Sequence, residues 1–311
     1  MYYKEIEPEN NTFSTLVVDI THRCNMRCSN CYIPNRVVPD MDKNKLFEFL
    51  GKLPKRTHIR LIGAEPTMRE DLIDIIKTIK LLGHKMSLIT NGLKLSKYEY
   101  CRKLKEAGLN IVHISMNGGN SDDIYNIMDN GKYAKLKITA LENALKCNYI
   151  TSISSIIAKD VNESTIKNLV ETLLSVAEKN NINFNNKPWN RLKPVVRFRS
   201  VGQIGNYISN HSYSTNELLE LVCSQLNLDK LQAFKSACGI GHIYKETNIN
   251  DNYSWIIKYE SKIGEIYIKM TSWQIDSDGI VDPKNENRGR ITQNWKIAPF
   301  FEHIKLNEFG Y

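Results

Sequence analysis

The residues best suited to chemistry lie together near the start of the chain. Thr21-His22-Arg23-Cys24-Asn25-Met26-Arg27-Cys28-Ser29-Asn30-Cys31-Tyr32 places three cysteines at the spacing C-x3-C-x2-C. Three thiolates on one short loop can each hold one iron of a cubane cluster. Three protein ligands leave the fourth iron open to a substrate or cofactor, whereas four would make an electron carrier only. The other chemistry open to this loop is zinc, which needs a fourth Cys or His. His22 is at hand for that role, but no second cysteine or histidine knuckle accompanies it.

Further candidates stand in short polar segments downstream. Gly63-Ala64-Glu65-Pro66-Thr67 combines small residues, which let a backbone approach a ligand, with a proline that stiffens the turn. Glu65 can accept a charge-assisted hydrogen bond or cap the helix that follows. In Val195-Val196-Arg197-Phe198-Arg199, period-two alternation puts Arg197 and Arg199 opposite Val196 and Phe198. With the apolar face against helices, both arginines point inward, toward an anion or nearby acidic side chains. Arg288-Gly289-Arg290 favours an anion as well.

The elements that must position these residues alternate strand with helix. Strands are expected at Leu16–Ile20, His58–Ile62, Lys85–Ile89, Asn110–Ile114, Tyr149–Ile157 and Pro194–Phe198. Leu72, Ile75, Ile76, Ile79 and Leu82 keep the helical period from Asp71 to Leu82, with Gly83 as the stop. Ser96 with Glu99 spells a capping box before Tyr98, Cys101 and Leu104, and Asn162 is placed to cap the stripe from Ile166 to Ala177. Such alternation predicts parallel βα units, an α/β fold built as a partial six-stranded TIM-like barrel. Its loops at the C-terminal strand ends form one functional face, and every candidate above except the Arg288–Arg290 pair falls there or on the strand leading to it.

After about residue 205 the alternation stops. Ser214 with Glu217 caps a helix, and Tyr253–Tyr259 with Glu265–Met270 reads as a hairpin turning at Gly264. The expected division is a barrel core over 1–205 and an α+β extension over 206–311 that closes its open side and can contribute to substrate binding.

The totals narrow the class. Of 311 residues, 41% are hydrophobic, and no stretch approaches the roughly 18 apolar residues of a membrane helix. The first residues carry no signal-like apolar segment, so a cytoplasmic protein is expected. Lys and Arg exceed Asp and Glu by 42 to 34, which suits an anionic partner, yet no basic tail suggests nucleic acid. Seven cysteines, three of them crowded into one loop, speak for a cluster site in a reducing compartment and against a disulfide framework. Cys101 and Cys147 read as core residues. Cys223 and Cys238 are too few for a second cluster; packing is the default for Cys223, and either is a candidate hydrogen-atom donor.

Taken in order from Thr15 to Gly118, these segments resemble the radical S-adenosylmethionine (SAM) superfamily, with a MoaA-like core and no cysteine-rich auxiliary-cluster domain. The cysteine loop is similar to its cluster signature. Gly63-Ala64-Glu65-Pro66 resembles its GGEP motif with Ala64 for the second glycine, and Thr90-Asn91-Gly92 its TNG. The resemblance implies one [4Fe-4S] cluster on Cys24, Cys28 and Cys31, with SAM bound at Gly63, Ala64, Glu65, Pro66, Asn91, Ser115 and Asn117. Where the family usually has an aromatic residue near the adenine, this chain has Asn30, with Tyr32 just beyond. It also implies an electron donor such as flavodoxin or ferredoxin, and reductive cleavage of SAM to a 5′-deoxyadenosyl radical that takes hydrogen from a substrate. The expected substrate is a peptide or protein side chain; a nucleotide or other anionic metabolite is the alternative. The competing class is a non-catalytic zinc or iron–sulfur binding protein.

Overall fold

The structure is a computed structural model that describes residues 4–31, 33, 36–54, 56–201, 211–240, 254–272 and 288–300. Six strands and six helices make the first part: β1 (Thr15–Asp19), α1 (Lys43–Gly51), β2 (His58–Ile62), α2 (Leu72–Leu81), β3 (Lys85–Thr90), α3 (Tyr98–Ala107), β4 (Ile111–Ser115), α4 (Asp122–Asp129), α5 (Ala134–Lys146), β5 (Ile150–Ile157), α6 (Thr165–Lys179) and β6 (Val195–Ser200). Then follow α7 (Thr215–Gln225), α8 (Lys230–Ile240), β7 (Ser254–Ser261), β8 (Gly264–Thr271), β9 (Arg288–Ile291) and β10 (Ile297–Pro299).

All ten strands form one sheet in the order β10-β9-β1-β2-β3-β4-β5-β6-β8-β7. From β1 to β6 each strand is parallel to the one before it. Because the order never reverses, right-handed crossovers put every helix on the same face of the sheet. That face is apolar: Leu16, Val18, Ile59, Leu61, Leu88, Val112, Ile114, Ile153, Val196 and Phe198 are fully buried. They pack on helix stripes such as Ile166, Leu169, Val170 and Leu173 of α6. The alternate residues line the inner face of the barrel.

The later segment extends the sheet at both edges. β8 lies parallel to β6 and hairpins with β7, while β9 lies parallel to β1 and antiparallel to β10. β9 and β10, of four and three residues, are too short to show a period, and only the hairpin was legible beforehand. Its turn uses Gly264 at φ +108°, where an added Cβ would stand 3.0 Å from Asn185 Oδ1.

Two expected helix starts differ. Ser96 closes a short 3-10 turn, donating to the Leu93 carbonyl at 2.7 Å, and Lys97 precedes α3 without a side-chain cap. Glu99 pairs with Arg102 instead of reaching back. Asn162 does not cap α6: its amide donates to the Ile156 carbonyl at 2.8 Å and accepts from Ala158 N at 2.8 Å, pinning the chain as it leaves β5. The Ser214–Glu217 capping box is present as expected. No helix among the described residues is long and apolar enough to cross a membrane.

Candidate active site

The cysteine loop leaves β1 and is stitched at once to the end of β2. Ala64 N donates to the Thr21 carbonyl and Glu65 N to the Arg23 carbonyl, each at 2.9 Å. Gly63 has φ +149°, and a Cβ there would stand 2.3 Å from the Thr21 oxygen. The close approach that needs a glycine at 63 is therefore that of the cysteine loop's own backbone.

Cys24, Cys28 and Cys31 are half-buried, and none forms a disulfide. Donors surround the outer two sulfurs. Cys24 Sγ accepts from Met26 N at 3.4 Å and Asn91 Nδ2 at 3.9 Å. Cys31 Sγ accepts from Ile33 N at 3.5 Å and Arg36 Nη2 at 2.8 Å. Burial, and next the Asp129 carboxylate, push the Cys28 thiol far above its ordinary pKa. Without metal it keeps its proton, and loading metal must expel it. Among the described residues no three Cys, His, Asp or Glu side chains converge on one ion position, the arrangement that zinc requires. A cubane asks less of the loop, because each thiolate takes its own iron. Three free thiols on one loop, two of them with N–H donors on their sulfurs, suit that group.

The loop is held from below by the C-terminal end of α4. Ser29 donates through its backbone N–H to the Met128 carbonyl at 2.9 Å and through its hydroxyl to the Ile127 carbonyl at 2.6 Å. Asn130 Nδ2 donates to the Arg27 carbonyl at 2.7 Å. Carbonyls left over at a helix end thus become the anchor of the cysteine loop. The sequence carries no motif for this clamp.

The other strand ends join the same rim. Glu65 is fully buried. Its Oε1 accepts from Thr67 N at 3.0 Å, Thr67 Oγ1 at 2.6 Å and Thr90 Oγ1 at 2.7 Å, and its Oε2 from Asn91 N at 2.6 Å. It caps the 3-10 turn Pro66–Met68 and ties β2 to β3. Asn91 Nδ2 donates to Asn25 Oδ1 at 2.8 Å, bringing β3 to the cysteine loop. At the end of β4 the Ser115 carbonyl accepts from Lys137 Nζ at 2.7 Å. Asn117 donates to Asp129 Oδ1 at 2.8 Å and accepts from Ile156 N at 3.1 Å. Asn30 is half-buried in the loop, and Tyr32 lies outside the described residues.

On β6, Val196 and Phe198 are buried toward the helices while Arg197 and Arg199 take the inner face. Arg197 Nε donates to Ser152 Oγ at 2.8 Å. Lys269 of β8 stands beside Arg197 in register. His58 and Arg60 of β2 share the inner face, since Ile59 and Leu61 take the other. The alternation that singled out Arg197 could have found them too. Among the described residues on this face, Asp19 pairs with Arg290, and Glu265 with Lys258. The resulting field is felt at His113 on β4. Burial, then Arg197, Arg60 and His58, hold its imidazole well below the ordinary value.

Three of the remaining cysteines pack in or against the core. Cys101 is fully buried on α3, and Cys223 is buried with Leu219 and Val222 on α7. Cys147 packs against the core at the end of α5. The side chain of Cys238 lies outside the described residues.

A sequence model of the radical SAM superfamily matches residues 18–173. The chain is 24% identical over 233 residues to the GTP 3′,8-cyclase of Petrotoga mobilis, covering 72% of this chain and 67% of that protein. It is 32% identical over 140 residues to the 7,8-dihydro-6-hydroxymethylpterin dimethyltransferase of Methanocaldococcus jannaschii, covering 42% of this chain and only 28% of that one. In fold it is similar to Streptococcus suis SuiB bound to the precursor peptide SuiA, with TM-score 0.59 at 12% identity over 95% of this chain and 61% of SuiB. It is also similar to anSMEcpe with bound AdoMet and a peptide, with TM-score 0.52 at 16% identity over 75% of this chain and 67% of that one.

Proposed function

Because the chain belongs to the radical SAM superfamily, whose cofactors are a [4Fe-4S] cluster and SAM, we propose that it is an enzyme acting by hydrogen abstraction on an anionic substrate. When bound, the cluster and SAM supply an electron and, from it, a carbon radical able to take hydrogen from unactivated carbon. Cys24, Cys28 and Cys31 would hold the cluster, and Gly63, Ala64, Glu65, Pro66, Asn91, Ser115 and Asn117, with Asn30 and Tyr32, would bind SAM. Glu65 and Asn91 act by fixing the strand ends against the loop, so that the radical carbon and the substrate meet in one orientation. The barrel wall keeps water away.

One observation supports the substrate class: Arg60, Arg197, Arg199 and Lys269 are gathered on the one inner face. A phosphate or carboxylate is the ligand such a face recognises. The extension over 206–311 then serves substrate binding, since β8 brings Lys269 to the core over 1–205. The relation to GTP 3′,8-cyclases extends over most of this chain and favours a phosphate-bearing small molecule. A peptide is the second reading, favoured by the cover of nearly the whole chain by SuiB, and it meets the same face if the peptide is acidic. The reductant is a flavodoxin or ferredoxin, and the compartment is the cytoplasm, where such a cluster persists.

Anaerobic reconstitution tests the reading: about four iron and four sulfide per chain, with 5′-deoxyadenosine formed only when reductant is added. Zinc near one per chain would overturn it. Screening nucleotides, acidic peptides and neutral analogues for faster 5′-deoxyadenosine release tests the substrate class. Arg199→Gln is expected to raise KM for the active anion roughly tenfold or more while leaving substrate-free SAM cleavage unchanged. A neutral substrate that outpaces every anion would refute the class.

A further inference from the structure

Beneath the cysteine loop lies a buried ion pair to which the chemistry above assigns nothing. Asp129 ends α4 and Lys137 stands in the first turn of α5, and each side chain is 1% exposed. Lys137 Nζ lies 3.8 Å from Asp129 Oδ2 and 5.4 Å from the centre of the Tyr125 ring, and it donates to the Ser115 carbonyl. Asp129 Oδ1 accepts from Asn117, while Oδ2 is buried with no hydrogen bond. Asp129 stands between Met128 and Asn130, which hold the loop at Ser29 and Arg27 on either side of Cys28.

As a source of stability this is a poor arrangement. Taking an ammonium and a carboxylate out of water is recovered only by close geometry with every lone pair satisfied, and an apolar pair would fill the space more cheaply. What the pair has is position. The charges that act on its ammonium are Asp129, Cys28, Glu65 and Cys24, in that order. The helix end that carries Asp129 clamps the loop on both sides of Cys28, through Ser29 and Arg27. Lys137 grips the end of β4 at Ser115 and, through Asp129, Asn117.

We propose that Asp129 and Lys137 are positioning residues of the iron–sulfur site. Together they fix Cys28 against the end of β4 and set the cluster's reduction potential by two opposed, fixed charges. The proposal rests on the reading that Cys24, Cys28 and Cys31 hold the cluster. Reduction places one electron, drawn from an external donor such as dithionite, on that site without a proton. In a medium of low polarizability a buried ammonium favours the added negative charge and a buried carboxylate opposes it. Each charge alone therefore displaces the potential, in opposite directions.

The test is a redox titration followed by electron paramagnetic resonance, without SAM, on the reconstituted chain and on Lys137→Met, Asp129→Asn and the double variant. At the potential where the wild-type cluster is half reduced, Lys137→Met is expected to lower the reduced-to-oxidised ratio about tenfold. Asp129→Asn is expected to raise it about tenfold, a shift of ~59 mV either way for a one-electron couple. The double variant should return near the wild type. Shifts in the same direction, or ratios within twofold of wild type in both singles, overturn the proposal, because a merely structural pair would cost stability and leave the potential alone. If Lys137→Met does not fold, Asp129→Asn and the double variant decide by the same criterion. A wild-type chain that takes up no iron or sulfide would instead overturn the cluster reading and this one with it.

Discussion

The Glu65 carboxylate accepts the backbone N–H of Asn91 at 2.6 Å, and the Asn91 side chain in turn reaches Asn25 of the cysteine loop at 2.8 Å. Two strand ends and the loop are thereby joined through one buried acid. The chain of contacts gives Glu65 a structural duty beside any contact with a cofactor, and the two duties can be separated by substitution.

Glu65→Gln puts an NH2 group where four donors converge on two oxygens. At least one donor loses its acceptor, so a loss of about 1–3 kcal/mol of stability is expected. Urea unfolding measures it. SAM affinity should fall as well, while iron content after reconstitution stays at the wild-type level. Loss of iron in the folded variant would show that the acid serves the loop rather than the cofactor.

Gly63→Ala tests the junction from the other side. The methyl would meet the Thr21 carbonyl at 2.3 Å from a backbone conformation that L residues rarely adopt. Strain of about 1–3 kcal/mol is expected, relieved by displacing the start of the cysteine loop. The variant should melt at a lower temperature and lose iron faster to a chelator. A variant with wild-type iron retention would mean that the loop does not depend on this contact.

The strands and the order of the strand-end segments were legible because burial of a parallel sheet imposes runs such as Leu16–Ile20 and stripes such as Ile166–Leu173, and these are local patterns. Ser214 and Glu217 form their box at the start of α7. Ser96 and Glu99 spell the same box, yet Gly92 at φ +83° starts a 3-10 turn that consumes Ser96 first. Asp129 and Lys137 were illegible for a different reason. A lysine in Ala134-Lys135-Leu136-Lys137 reads as a solvated helix face, and only the tertiary fold turns it toward Ser115 and the cysteine loop.

Cys28→Ala and Cys223→Ala should part company. The first removes a thiol from the loop and is expected to abolish cluster assembly, read as iron and sulfide per chain and the loss of visible absorbance. The second leaves a small void beside Leu219 and Val222, costing about 1 kcal/mol with cluster content unchanged. Product formation by Cys223→Ala then bears on the hydrogen-donor role directly. Wild-type product yield would remove Cys223 from candidacy, and accumulation of an unquenched substrate radical would establish it.

His113 reports the charge of the barrel interior. Burial first, then Arg197, Arg60 and His58, hold its folded-state pKa well below 6.5, the value expected in the unfolded chain. Between those two values the unfolded chain binds a proton that the folded one refuses, so stability rises with pH in that window and is level above about 6.5. Lowering the pH from about 7.5 to about 5.5 should therefore cost stability at up to ~1.4 kcal/mol per unit below 6.5. Asp40, Asp71 and Glu163 have depressed pKa values, and their contributions are lost only at lower pH, near the ordinary carboxylate range and beneath it. His113→Asn should flatten the slope seen in urea midpoints. Arg60→Gln should shrink it, because the imidazole then titrates closer to its ordinary value. An NMR titration of His113 that places it at 6.5 or above in the folded chain would show that the inner face carries no net positive field, and an anionic substrate would lose its support.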